Sequence, residues 1–264
     1  MNTACNICNA ATFEHARMLV RKKYAARLLR CSNCGFLFVD DPLWLAEAYA
    51  EPINRSDTGY VSRNLWARDK LRDCIELHLN PGGVFLDYAA GYGLFVRLMR
   101  DLGYDFQWCD LYCQNLFCRG FEAPQPVTGP YEMVTSFEML EHLPNPNAEM
   151  ERIAQITSCF IFSSLLVPEP APQPSDWWYY GFEHGQHVAF YTRQSLELLG
   201  KKFGFHLVTD GANLHAFSRK PLSPVFFSPP TIPRWCFWKS RKVGADRKSL
   251  TMADHDFIEN QLQH

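Results

Sequence analysis

The run Val84-Phe-Leu-Asp-Tyr-Ala-Ala-Gly-Tyr-Gly93 limits what this chain can fold into more than any other segment. Val84 to Leu86 reads as a short buried strand, Asp87 ends it, and Gly91 and Gly93 let the backbone turn and approach a ligand without side chains in the way. Leu94, Phe95, Leu98, Met99 and Leu102 then form one helical stripe, with Gly103 as its stop. A second strand, Phe106 to Cys109, ends in Asp110, 23 positions after Asp87. A strand, a crossover helix and a second strand make a parallel pair, and ligands of such sheets sit beyond the carboxyl ends of the strands.

The same grammar continues along the chain. Met133 to Phe137 and Phe160 to Ser163 are apolar runs separated by a helix-length segment, and Phe205 to Val208 pairs with Leu214 to Phe217 across Asp210-Gly211. The carboxyl ends of these strands bring Asp87, Asp110 and Glu138 to one edge. The apolar run from Met133 continues through Thr135-Ser-Phe-Glu-Met-Leu-Glu-His-Leu-Pro144, with Glu138, Glu141 and His142 at i, i+3 and i+4. In a helix started there, all three side chains share a face. Two carboxylates and an imidazole placed together repel unless a proton or a cation lies between them.

With its glycine turn, its second-strand acid and this fourth-strand segment, the chain resembles the class I S-adenosylmethionine-dependent methyltransferases over about residues 55 to 218. Their pattern D-x-G-x-G-x-G is met except that Ala89 stands at the first glycine, whereas the dinucleotide pattern G-x-G-x-x-G is not met, since Leu94-Phe95-Val96 follows Gly93. The resemblance implies a Rossmann-like, mostly parallel seven-stranded sheet with an antiparallel last strand. It also implies S-adenosylmethionine as cofactor, bound by Asp87, Ala89, Gly91, Gly93, Asp110, Leu111 and Phe137, with Asp110 accepting from the ribose hydroxyls.

Two groups within that class resemble this chain more particularly. Metal-assisted O-methyltransferases carry Glu-x-x-Glu-His and a later histidine that together hold a divalent ion against neighbouring hydroxyls. Glu138, Glu141, His142 and His187 follow in that order here, which implies Mg2+ or another divalent ion; in many methyltransferases the same motif only caps a helix and lines the pocket. Sugar C-methyltransferases with an N-terminal cysteine module have a Glu-His pair before a similar aromatic segment, where this chain has Gln186-His187. His187 is therefore either general base or the ligand completing a metal site. The dense aromatics from Trp177 to Tyr191 suit a roof over a flat acceptor or a core plug.

The N-terminus carries its own signal. Cys5-Asn-Ile-Cys8 and Cys31-Ser-Asn-Cys34, 22 residues apart, are two C-x-x-C knuckles of a structural zinc ribbon, a closed four-thiolate site with no open position for chemistry. The remaining six cysteines show no ligand spacing. Ten cysteines without a signal peptide fit a reducing cytoplasm. No apolar stretch is long enough to span a bilayer.

With 264 residues, 47% of them hydrophobic, the chain can bury one substantial core and a small appendage, and a net charge of −2 argues against a general nucleic-acid binder. The expected division is a zinc ribbon over 1–40, a helical linker or cap over 41–80, the cofactor-binding domain over 81–218, and a basic, Pro- and aromatic-rich extension over 219–264. That extension wraps the domain, contacts an anionic acceptor or touches an anionic membrane surface. The expected reaction is methylation of a hydroxyl on a carbohydrate or glycan precursor, the expected partner being a small-molecule or glycan acceptor. The alternatives are C-methylation of a sugar, and a binding protein that keeps the fold as scaffold. The sequence leaves the oligomeric state open.

Overall fold

In the computed structural model, which describes residues 3–50, 57–227 and 247–262, the strands form two sheets. The larger contains β4 (Val84–Tyr88), β5 (Asp105–Cys109), β6 (Met133–Ser136), β7 (Cys159–Ser163), β9 (His206–Thr209) and β10 (Leu214–Ser218) in the order β5-β4-β6-β7-β10-β9. The first four are parallel, and β10 is antiparallel to both its neighbours. The crossover helices are α3 (Leu94–Asp101) and α4 (Asn147–Ile156), and α5 (Arg193–Lys202) precedes β9.

Successive strand residues point to opposite faces, which explains the near-continuous apolar strands. Phe85, Phe106, Met133 and Ile161 meet α3 and the long α2 (Tyr60–His78) through Ala67, Leu71, Phe95 and Met99. Leu86, Val134, Phe160 and Phe162 meet α4 and α5 through Met150, Ile153, Leu196 and Leu199.

Six strands are found among the described residues where seven were expected. Beyond β5, where the seventh belongs, Glu122 makes only an isolated parallel bridge with Trp108. Pro124, Pro126 and Pro130 follow at once, and each proline removes a ladder donor, so this edge cannot lengthen into a strand. The helix α6 (Thr251–Leu262) covers that flank instead: Phe257 packs on Phe121 at 5.8 Å between ring centroids, and Ile258 fills the space beside Gly120. The described end of the extension thus wraps the domain. Phe226 and Phe227 are buried, whereas Trp235, Phe237 and Trp238 lie outside the described residues.

The second sheet has the order β1-β2-β3-β8, from β1 (Thr12–Val20), β2 (Tyr24–Cys31), β3 (Leu37–Val39) and β8 (Ala189–Phe190). Its fourth strand comes from the far side of the cofactor domain's sequence: Leu37 pairs with Phe190 and Phe38 with Ala189. The short helix α1 (Leu45–Ala48) continues this connection, because the indole of Trp44 donates to the Gly185 carbonyl and the amide of Gln186 donates to the Ala48 carbonyl. Among the described residues no helix is long and apolar enough to cross a membrane.

Candidate functional site

The turn after β4 is built as its glycines suggest. Ala89, Gly91 and Gly93 all have positive φ, at 58°, 55° and 85°. At Ala89 an L-residue with a Cβ holds a left-handed conformation, which costs about 1 kcal/mol and explains why the related pattern has glycine there. Packing also requires glycine at 93, because a Cβ on it would lie 2.6 Å from Cys118 Sγ and 2.9 Å from Asn115 Oδ1. Gly91 donates its N–H to Asp110 Oδ2 (2.9 Å) and accepts from the Trp108 indole through its carbonyl.

Asp110 therefore closes the crevice from the β5 side. Its other oxygen accepts from the N–H groups of Tyr112 and Cys113, both at 2.7 Å. Two carboxylate oxygens offer about four acceptor sites, so three backbone donors leave room for a ligand hydroxyl. Leu111, beside it, is 72% exposed and forms an apolar lip with Tyr112, whose ring stacks on Tyr49 at 5.3 Å. Asp87 is buried and accepts from the Thr135 hydroxyl at 2.7 Å, and desolvation together with the nearby Asp110 charge pushes its carboxyl up to about 7. Phe137 lies against Phe95. An acceptor-bearing lip with apolar faces above a glycine turn matches a nucleoside with a ribose diol, so the residues present fit S-adenosylmethionine.

The cluster after β6 departs from the helix expected there. Glu138 has φ 55°, Leu140–His142 forms a single 3-10 turn, and Leu143 is extended before Pro144. A residue preceding proline is driven out of the helical region, so no α-helix starts until Asn147. Glu138 therefore departs from the other two: its Oε1 accepts from the Ser163 hydroxyl at 2.6 Å, while its own N–H donates to the same Oγ. Glu141, His142 and His187 converge, with one ligand atom from each lying within 4.8 Å of the others.

The electrostatics of that trio are severe. Glu141 is wholly buried; desolvation first, and then the charge of Glu138, raise its carboxyl well above the usual range. Burial likewise drives His142 well below an ordinary histidine and His187 down to about 4, so both imidazoles are neutral near pH 7. Glu141 Oε2 and His142 Nδ1 are buried without a hydrogen-bond partner among the described residues. A buried orphan acceptor costs on the order of 1–3 kcal/mol, which a proton or a cation at the trio would relieve.

Several neighbours escaped sequence reasoning. Tyr179 donates its hydroxyl to Glu141 Oε1, and its carbonyl accepts from His187 Nδ1 at 2.6 Å. His184, given no role from sequence, stands 5.0 Å from His187 between ring centroids. Of the aromatics expected as a roof, Trp177, Tyr179, Tyr180 and Phe182 are buried with Val39, Trp44 and Phe190 as a plug between the two sheets, and only Trp178 is largely exposed. Only the density of aromatics marked this loop in the sequence; which of them face inward depends on the sheet they meet.

At the N-terminus the four knuckle cysteines converge with ligand atoms within 4.8 Å of one another. The sulphur separations are 3.8 Å for Cys5 and Cys34, 3.4 Å for Cys8 and Cys31, and 3.6 Å for Cys8 and Cys34. A tetrahedron with bonds of about 2.3 Å has edges of about 3.8 Å, so the set fits zinc and is far too open for disulfides. Backbone N–H groups of Asn33 and Cys34 point at Cys31 Sγ, and donation from Cys34 pulls the Cys5 thiol down to about 5.

The chain matches the family model for the methyltransferase domain over residues 62–210. No curated protein matches it. Among solved structures it is similar to OxaC in complex with S-adenosylhomocysteine and oxaline, at 18% identity and a TM-score of 0.44, covering 58% of this chain and 47% of that one. It is also similar to magnesium protoporphyrin IX methyltransferase from Synechocystis PCC 6803 with bound S-adenosylmethionine, at 14% identity and 0.41, covering 69% and 98%. The third is the Burkholderia thailandensis 1,6-didemethyltoxoflavin-N1-methyltransferase with its substrate and S-adenosylhomocysteine, at 16% identity and 0.48, covering 70% and 94%. The chain thus spans about half the length of OxaC. Residues 62–210 make up more than half of the 264, and on that match the chain belongs to the methyltransferase domain family.

Proposed function

We propose that the chain moves a methyl group from S-adenosylmethionine to a hydroxyl of a carbohydrate or glycan precursor, with a divalent ion held by Glu141, His142 and His187. The observation that carries this reading is the convergence of Glu141, His142 and His187, one ligand atom of each within 4.8 Å of the others, in a trio that holds two buried unpartnered atoms, Glu141 Oε2 and His142 Nδ1. Asp110 would hold the ribose, and the turn from Ala89 to Gly93 would form the floor beneath the cofactor. S-adenosylmethionine supplies a methyl carbon already activated by the sulfonium charge, so the protein has mainly to align the acceptor oxygen and dispose of its proton. A divalent ion bound there supplies Lewis acidity that lowers the pKa of a hydroxyl. His187, neutral and driven down to about 4 by burial, suits a ligand better than a lone general base.

Two imidazoles and one carboxylate favour Mn2+, Fe2+, Co2+ or Zn2+ over the Mg2+ expected from sequence, which prefers oxygen donors. Glu138, engaged with Ser163 and close enough to act on the Glu141 carboxyl, would balance charge. We assign zinc to Cys5, Cys8, Cys31 and Cys34 as a structural ion, and retain the divisions 1–40, 41–80, 81–218 and 219–264 as the working domain plan.

The test is methyl transfer from labelled S-adenosylmethionine to a panel of nucleotide sugars and free glycans. Activity should vanish in brief chelation and return with Mn2+ or Co2+, with the cysteine-bound zinc assayed afterwards because its loss could mimic the result. Full turnover in chelator refutes the ion. Absence of measurable S-adenosylhomocysteine binding by calorimetry would leave a binding protein on a methyltransferase scaffold.

A further inference from the structure

We propose that Tyr179 is the positioning residue of this site, aiming Glu141 through its hydroxyl and His187 through its main-chain carbonyl so that each presents one bare lone pair. The inference rests on the metal reading above and adds what holds the donors in place.

The hydrogen bonds dictate the result. A carbonyl only accepts, so the contact of 2.6 Å between the Tyr179 carbonyl and His187 Nδ1 puts the ring proton on Nδ1. The neutral imidazole then has its lone pair on Nε2, the nitrogen free to bind. On the other side the phenol donates to Glu141 Oε1, which leaves Oε2 as the oxygen buried without a partner. One residue therefore selects which atom of each neighbour is left bare, and the unpartnered His142 Nδ1 belongs to the same trio.

Tyr179 is itself held firmly enough to do this. It lies in the 3-10 turn Trp178–Tyr180, fully buried, with its ring 5.3 Å from Trp177 and 4.7 Å from His187 between centroids. Gly181 closes the turn with φ 56°, and its N–H donates to the Trp178 carbonyl. A Cβ on Gly181 would come within 2.1 Å of His184 Nε2, so the loop has no slack at this point. Mere plugging of the core would be served as well by phenylalanine. A buried hydroxyl is costly unless bonded, and this one bonds to the carboxylate of the trio.

Tyr179→Phe removes only that oxygen. Wild type and variant, each with zinc retained at the four cysteines, are titrated with Co2+ and followed by calorimetry and by visible ligand-field absorption. Co2+ bound to nitrogen and oxygen lacks the thiolate charge-transfer bands of a cysteine site. Loss of an outer partner of a metal ligand typically weakens binding about 10–100-fold, which is the change expected here, with S-adenosylhomocysteine affinity unaltered. Equal Co2+ affinity in the two proteins overturns the role of Tyr179 alone. Wild type that takes up no Co2+ away from the cysteines overturns the metal reading and this inference with it. Should Tyr179→Phe fail to fold, the nitrogen-15 spectrum of His187 in the metal-free wild type decides: protonation at Nδ1 is expected, and protonation at Nε2 overturns the proposal.

Discussion

Asp110 does two jobs with one carboxylate. It ties Gly91, Tyr112 and Cys113 into a closed lip through three N–H donors, and under the proposed function its remaining acceptor capacity would take the ribose hydroxyls. Asp110→Ala is expected to weaken S-adenosylhomocysteine binding by about 1.5–3 kcal/mol, the range for hydrogen bonds to a charged group, as measured by calorimetry. Unchanged affinity would remove Asp110 from the cofactor site. The placement of such residues was legible in the sequence because it follows from the end of a strand or the need for a positive φ. The left-handed Ala89 was visible as a departure from the glycine pattern. Tyr179 was not legible, since its partners Glu141 and His187 lie 38 and 8 residues away and meet it only after the two sheets have docked.

At the scale of elements, periodicity identified α3 and the strands of the main sheet, where long apolar stripes dominate the choice. It failed where prolines outvote propensity: the run after β6 became one 3-10 turn, and the edge beyond β5 became a bridge. The compensation at that edge is α6. Arg100 of α3 donates to both oxygens of Asp254 at 2.8 and 2.7 Å, both side chains being 7% exposed, and Arg97 adds a second contact to the same carboxylate. Removing one partner of a buried pair leaves an uncompensated charge, although Asp105 and the Phe106 carbonyl still serve Arg100. Asp254→Ala should therefore cost about 2–3 kcal/mol in denaturant unfolding. A loss below about 0.5 kcal/mol would show that α6 is not fastened through this pair.

Across the whole molecule, the cysteine-bearing sheet and the site share hydrogen bonds. The N–H of Val39 in β3 donates to the Val188 carbonyl, the N–H of Val188 donates to the Glu141 carbonyl, and the hydroxyl of Thr192 donates to the Cys34 carbonyl. Cys31→Ser should lower bound zinc from about one per chain to near zero by elemental analysis. It should also impair Co2+ uptake at the trio more than S-adenosylhomocysteine binding, because the cofactor lip around Asp110 draws none of its hydrogen bonds from this sheet. Equal zinc in the two proteins would sink the assignment of the knuckles. The cysteine spacing announced the sulphur cluster, but nothing in the sequence announced that its sheet would be finished by Ala189 and Phe190.

That borrowed fourth strand also sets an order of events during synthesis. When β3 leaves the ribosome its outer edge has no partner, and Leu37 must wait for Phe190, roughly 150 residues later. At elongation rates of about 5–20 residues per second, that edge stays open for some 10–30 seconds, during which it can pair with the wrong neighbour. The nascent edge of β3 thus has a long exposure to misassembly, and the arrival of β8 both seals it and sets His187 in place.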